Sequence, residues 1–132
     1  MAEEMVQPPL VLSMVLADHI HSDPDTGKFS VLGTYYTILG REYPCHRERL
    51  WIYLALTDGR GEVNLQLRVI DVDELREPVY EGEASVSFSD PLQISKLALV
   101  CHDVTFPEPG EYRVQLSASG SPIRDLRLQL LE

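Results

Sequence analysis

Cysteine is almost missing from this sequence, with two in 132 residues. A disulfide framework therefore does not hold the chain together, and a chain of this length can rely on a hydrophobic core. One bridge between Cys45 and Cys101 is the most it could form, and free thiols in a reducing compartment are the expectation. Positive charge is scarce as well. Eleven lysines and arginines face 21 aspartates and glutamates, a formal charge of −10. Phosphate backbones and anionic bilayers repel such a chain, and no basic stripe offsets the repulsion. The densest positive run, Arg41–Arg49, also carries Glu42 and Glu48. No nucleic acid and no membrane are expected as partners.

Long apolar runs are missing too. Leu10–Ala17 falls far short of the roughly 20 apolar residues of a membrane span. Two glutamates precede it where a secretion signal carries basic residues, so a cytoplasmic protein is expected. The sequence has no internal repeat, no low-complexity tract and no segment with a sustained helical period. It also lacks Gly-x-Ser-x-Gly, His-Glu-x-x-His and any glycine-rich phosphate loop. Its glycines fall at turns, as Gly59, Gly61, Gly110 and Gly120 do.

What the chain does have is strict alternation. Val63, Leu65, Leu67 and Val69 interleave with Glu62, Asn64, Gln66 and Arg68, and Tyr112, Val114, Leu116 and Ala118 with Glu111, Arg113, Gln115 and Ser117. Successive strand side chains point to opposite faces, so each segment is a strand with one dry and one wet face. Leu126, Leu128 and Leu130 repeat the pattern, and Leu126 and Leu128 are candidate core residues together with Leu65, Leu67, Val114 and Leu116.

Further strands are predicted over Leu10–Ala17, Phe29–Leu39, Leu50–Thr57, Val79–Phe88 and Leu92–Val104. Leu10–Ala17 is apolar on both sides, as a central or covered strand is. Gly33 marks a bulge or bend in Phe29–Leu39, and Leu92–Val104 changes phase partway, which suggests a bulge or short turn. Asp18–Lys28 and Gly40–Glu48 read as connections, and Asp73–Pro78 as an acidic turn. Asp58-Gly59 between two alternating runs predicts a hairpin. The sum is an all-β domain, a single antiparallel β-sandwich of about eight strands over residues 10–132, behind a flexible tail at residues 1–9. A closed barrel is the alternative.

Three stretches carry a resemblance: MVLADHIHSDPDTGKFSVLG (Met14–Gly33), LALTDGRGEVNLQLRVIDV (Leu54–Val72) and FPEPGEYRVQL (Phe106–Leu116). Together they resemble a family of small bacterial domains of unknown function, DUF6941, which implies an immunoglobulin-like β-sandwich. The Pro-x-Pro-Gly-x-Tyr segment is also similar to the penultimate strands of many immunoglobulin-like domains. The resemblance implies a fold and assigns no site.

The residues themselves offer three candidate chemistries. Asp18, His19, His21, Asp23 and Asp25 form the densest polar group, and two imidazoles beside carboxylates suit zinc or another transition metal. His46 and His102 could complete such a site only if the fold brought them near. The opposing reading is a polar turn organised by Asp23 and Asp25. Asp23-x-Asp25-x-Gly27 starts like a calcium loop, but the twelfth position is Thr34 instead of glutamate; Asp58, Asp71, Asp73 and Asp90 are further loop acids. Cys45-His46 and Cys101-His102 are sequence neighbours; strand geometry turns Cys101 and His102 to opposite faces, so no nucleophile–base pair is expected there, while Cys45-His46 reads as part of a loop, which leaves such a pair open. The third candidate is aromatic. If Leu50, Ile52, Leu54 and Leu56 face the core, Trp51, Tyr53 and Ala55 face away from it. That second face is covered either by the chain's own loop or by a partner, since large exposed apolar patches are rare. Tyr35 and Tyr36 likewise split between the two faces of their strand.

The expectation is a non-catalytic binding or scaffold module without cofactor or metal. It acts through protein–protein contact at Trp51 and Tyr53, with a second copy as the simplest partner. A metal-binding protein or metal-dependent hydrolase centred on Asp18–His21 is the alternative.

Overall fold

A computed structural model describes residues 8–73 and 76–132. The alternating segments become strands, nine of them among the described residues: β1 (Leu10–Ser22), β2 (Phe29–Thr34), β3 (Thr37–Leu39), β4 (Cys45–Thr57), β5 (Gly61–Asp71), β6 (Tyr80–Phe88), β7 (Ser95–Phe106), β8 (Gly110–Ala118) and β9 (Ser121–Leu131). They form a four-stranded sheet in the order β2-β1-β4-β7 and a five-stranded sheet in the order β3-β9-β8-β5-β6. The two sheets bury one core between them. Met14, Leu16, Leu50, Ile52 and Leu54 enter from the first sheet, and Val63, Leu65, Leu67, Val114, Leu116 and Leu128 from the second. Leu126 is the exception among the expected core residues, being only half-buried at the rim of that core. Of the expected N-terminal tail only Pro8 and Pro9 are described, and Pro9 is buried; in the expected acidic turn, Glu74 and Leu75 lie outside the described residues.

Four expectations need correction, each for a physical reason. The ninth strand arises because Phe29–Leu39 is two strands. The chain kinks at Gly33, whose φ of 69° suits a residue without Cβ. It then leaves the first sheet at Tyr35–Tyr36 and joins the second as β3, parallel to β9. Asp58-Gly59 is no hairpin either. The strands it joins, β4 and β5, lie in different sheets, so the turn is a crossover, with Asp58 at φ 60° and its N–H donating to the Pro91 carbonyl. Third, β1 runs on through Asp18, His19, Ile20, His21 and Ser22, and the connection shrinks to residues 23–28. There Asp23 Oδ1 accepts the N–H of Asp25 at 2.8 Å and of Thr26 at 3.4 Å. Fourth, β4 begins at Cys45, which leaves only residues 40–44 of the expected Gly40–Glu48 loop.

The phase change in Leu92–Val104 is a turn, not a bulge. Residues 89–94 precede β7 and are tied by Gln93, whose Oε1 accepts from Ser89 N–H and whose Nε2 donates to Ser87 O and Ser95 Oγ. Leu92 and Ile94 are consequently exposed. A second phase change is invisible in the sequence. Inward residues on β4 switch from Cys45 and Arg47 to Leu50 and Ile52, while on β7 they switch from Cys101 to Val104 and Phe106. The two strands stay in register throughout, so they coil together across Glu48 and Asp103, and Asp103 takes φ 55°.

Candidate functional site

On β4, Leu50, Ile52, Leu54 and Leu56 point into the core and Trp51, Tyr53 and Ala55 point away from it. Register then decides their neighbours. Trp51 stands between Ala17 and Val100, Tyr53 between Val15 and Ala98, and Ala55 between Ser13 and Lys96. Directly opposed residues share a face of the sheet. The outer face of the first sheet is therefore an apolar strip of Val15, Trp51, Tyr53, Ala98 and Val100, each half-buried. Its charged members are Arg49 and Lys96, and none of the chain's 21 acids falls in the spans 13–17, 49–55 or 95–102. The outer face of the second sheet is the opposite in character. There Arg113 pairs with Glu111 at 3.2 Å and Asp125 at 3.4 Å, and Arg127 with Glu111 at 3.3 Å.

The chain itself covers part of the strip. Phe29 is opposite Ser22, five residues beyond Ala17, where β1 leaves β4. A straight strand would carry Phe29 roughly 16 Å past Trp51 and away from Tyr53. Instead the Phe29 and Tyr53 rings meet edge to face with centroids 6.0 Å apart, and the His19 and Trp51 rings do so at 5.0 Å. The β1–β2 hairpin thus folds back over the outer face of β4. Ile20 is buried there at 4% exposure, outside the main core cluster. The covering element is this hairpin, whose β1 arm runs through the segment that reads as a polar connection.

The histidines and acids are dispersed by the same geometry. His19 packs on Trp51, whereas His21 lies farther along the hairpin opposite Ser30. Asp18 instead lines a cleft of about 500 Å³ with Tyr35, Arg47 and Arg49. Burial, with Asp18 adding to it, pushes the Tyr35 hydroxyl from 10.0 up to about 12, and the Nε of Arg47 is buried without a hydrogen-bond partner. Asp58 and Asp90 lie near one end of β5, with Asp90 Oδ1 accepting from Leu92 N–H at 2.8 Å. Asp71 and Asp73 lie at the other end, and Asp71 pairs with Arg76 at 2.9 Å. Among the described residues no three His, Cys, Asp or Glu side chains converge as a cation site requires.

Both cysteines are buried and free. Cys45 is opposite Phe106 and Cys101 opposite Leu50, so five residues of paired strand separate them. That is about 16 Å, against the roughly 7 Å a disulfide tolerates. Burial pushes the Cys101 thiol from 9.0 up to about 12, with a hydrogen bond to Tyr80 working the other way. A thiol held neutral is a poor nucleophile. One polar constellation went unread in the sequence. His46 Nδ1 lies 2.9 Å from Thr105 Oγ1 and its Nε2 lies 3.3 Å from Asp103 Oδ1. Only the register of β4 against β7 reveals it, because 59 residues separate His46 from Thr105. All three side chains are exposed, so nothing excludes water from the group.

Comparison with known proteins adds a family and a distant shape. No curated protein matches the sequence. A solved beta-glucuronidase from glycoside hydrolase family 2 is similar at 14% identity and a TM-score of 0.45, over 60% of this chain. The chain spans only 9% of that enzyme's length, and nothing of the enzyme's activity is carried over. The model of a family of unknown function, DUF6941, matches residues 12–131. That match takes in every strand but the first residues of β1, and the chain belongs to DUF6941.

Proposed function

We propose that this chain is an immunoglobulin-like sandwich that serves as a non-catalytic binding module, acting through protein–protein contact at the outer face of its first sheet. The layout supports the fold half of that reading. Taking β4, β5, β6, β7, β8 and β9 as strands B, C, C′, E, F and G places B beside E in one sheet and G-F-C-C′ in the other. Tyr112 then falls near the start of strand F, and its buried hydroxyl donates to Glu108 O at 2.7 Å, four residues upstream. This is the tyrosine corner of such domains. The B–F disulfide and the strand-C tryptophan of antibody domains have no counterpart, since Cys45 and Cys101 share a sheet and Trp51 sits on β4.

The observation that carries the functional half is the acid-free aromatic strip. A chain of charge −10 that keeps this strip clear of acid, and furnishes it with Trp51 and Tyr53, has the composition of an interface core. Depletion of charge and enrichment in Trp and Tyr mark the centres of interfaces, where a few such residues supply most of the binding energy. A photo-crosslinking amino acid placed at Val100, on the strip, and at Glu81, on β6 in the other sheet, tests it in cells. Protein adducts at position 100 and none at 81 are expected. Absence of any adduct at position 100 would sink the reading.

A further inference from the structure

β7 ends the first sheet, and among the described residues no strand is hydrogen-bonded to its other edge. Free sheet edges are ordinarily blunted by shortness, charge, proline or a kink, because unpaired N–H and C=O groups invite another strand. The other edges of this protein carry such devices. β3 has three residues, β2 has six and is kinked at Gly33, and β6 exposes Glu81 and Glu83. β7 is twelve residues long, and its stretch Leu97–Cys101 has no charge. Leu97, Ala98, Leu99 and Val100 are all half-buried, including Leu97 and Leu99, whose parity directs them to the core.

Read outward from Leu99, the strand is a chemical palindrome. Ala98 and Val100 are small and apolar, Leu97 and Cys101 are apolar on the inner side, and Lys96 and His102 are polar on the outer side. A two-fold interface demands that symmetry, because the same patch must serve both subunits. An antiparallel pair with its axis at Leu99 sets each copy's Ala98 against the other's Val100, and each Leu97 against the other's Cys101, with every mate on the matching face. Electrostatics selects the same place. Two chains of −10 repel, and a self-contact must avoid acid. Ser95–His102 contains none.

We propose that the protein forms a two-fold dimer by antiparallel pairing of β7 with β7 of a second copy, centred on Leu99. The inference deepens the protein-contact reading above by naming the partner. It would also join two first sheets into one, running the apolar strips of both copies into a single face.

Sedimentation equilibrium from micromolar to millimolar concentration tests it, with Ala98→Lys and Trp51→Glu alongside. Wild type is expected at twice the 14.9 kDa chain mass. Ala98→Lys places like charges beside the axis and should raise the dissociation constant roughly 100-fold or more. Because that variant could also loosen β7, amide exchange of wild type gives a second readout. Amides of Lys96–His102 that β4 leaves free should exchange more slowly as concentration rises. A wild type monomeric up to millimolar concentration overturns the β7 dimer, while adducts at position 100 to another protein would still uphold the contact reading. A dimer that survives Ala98→Lys but dissociates in Trp51→Glu overturns it equally, in favour of the strip alone.

Discussion

Cys101 is 1% exposed, with its thiol hydrogen-bonded to Tyr80, and burial holds it neutral up to about pH 12 instead of 9.0. Tyr35 is shifted in the same direction, from 10.0 to about 12, by burial first and by Asp18 second. The folded state therefore keeps protons that the unfolded chain releases. Below pH 9 both states are protonated and these groups contribute their full stability. Between pH 9 and 12 the unfolded chain ionises first, so stability falls as pH rises. Urea midpoints should hold level from pH 7 to 8.5 and drop progressively above 9, and Cys101→Ala should shallow that drop. An alkaline limb of unchanged steepness in Cys101→Ala would show that the thiol is not the group responsible. The same burial should leave Cys101 inert to thiol reagents at pH 8 while the protein is folded.

Gly33 sits at φ 69°, and a Cβ there would collide with the Asp18 carboxylate. The bend it permits separates β2 from β3 and sends the chain from one sheet to the other. Gly33→Ala should cost on the order of 1–3 kcal/mol through backbone strain, read as a lower urea midpoint. A midpoint equal to wild type would mean that the bend is not set by this residue. The sequence announces a bend at Gly33 but not that the chain changes sheets, since the partner of β3 lies at the far end of the chain. Strands β5 and β8 were legible to within a residue because each has one dry and one wet face. The extensions of β1 and β4 were not, because Asp18, His19 and His21, like His46, Glu48 and Arg49, are exposed and polar and mimic a loop. Of the candidate face, the outward parity of Trp51 and Tyr53 could be read directly. That Val15, Ala98 and Val100 complete it needed the register of three strands, and the Phe29 cover needed the fold of the hairpin.

The whole molecule rests on one core shared by both sheets, and Leu116 on β8 is fully buried within it. Leu116→Ala should cost roughly 2–5 kcal/mol, a large share of the stability of a small domain, measurable by chemical denaturation. A loss below about 1 kcal/mol would mean that the two sheets close up around the missing side chain. The parallel pairing of Thr37–Leu39 with Gln129–Leu131 ties the early chain to its last strand. On a ribosome that link sets a schedule. About ninety residues of chain separate β3 from the part of β9 it pairs with, and at roughly 5–20 residues per second β3 waits about 5 to 20 seconds for its mate. During that interval Ile38, 4% exposed in the finished fold, has no β9 to cover it, and any chaperone that attends this chain meets it then.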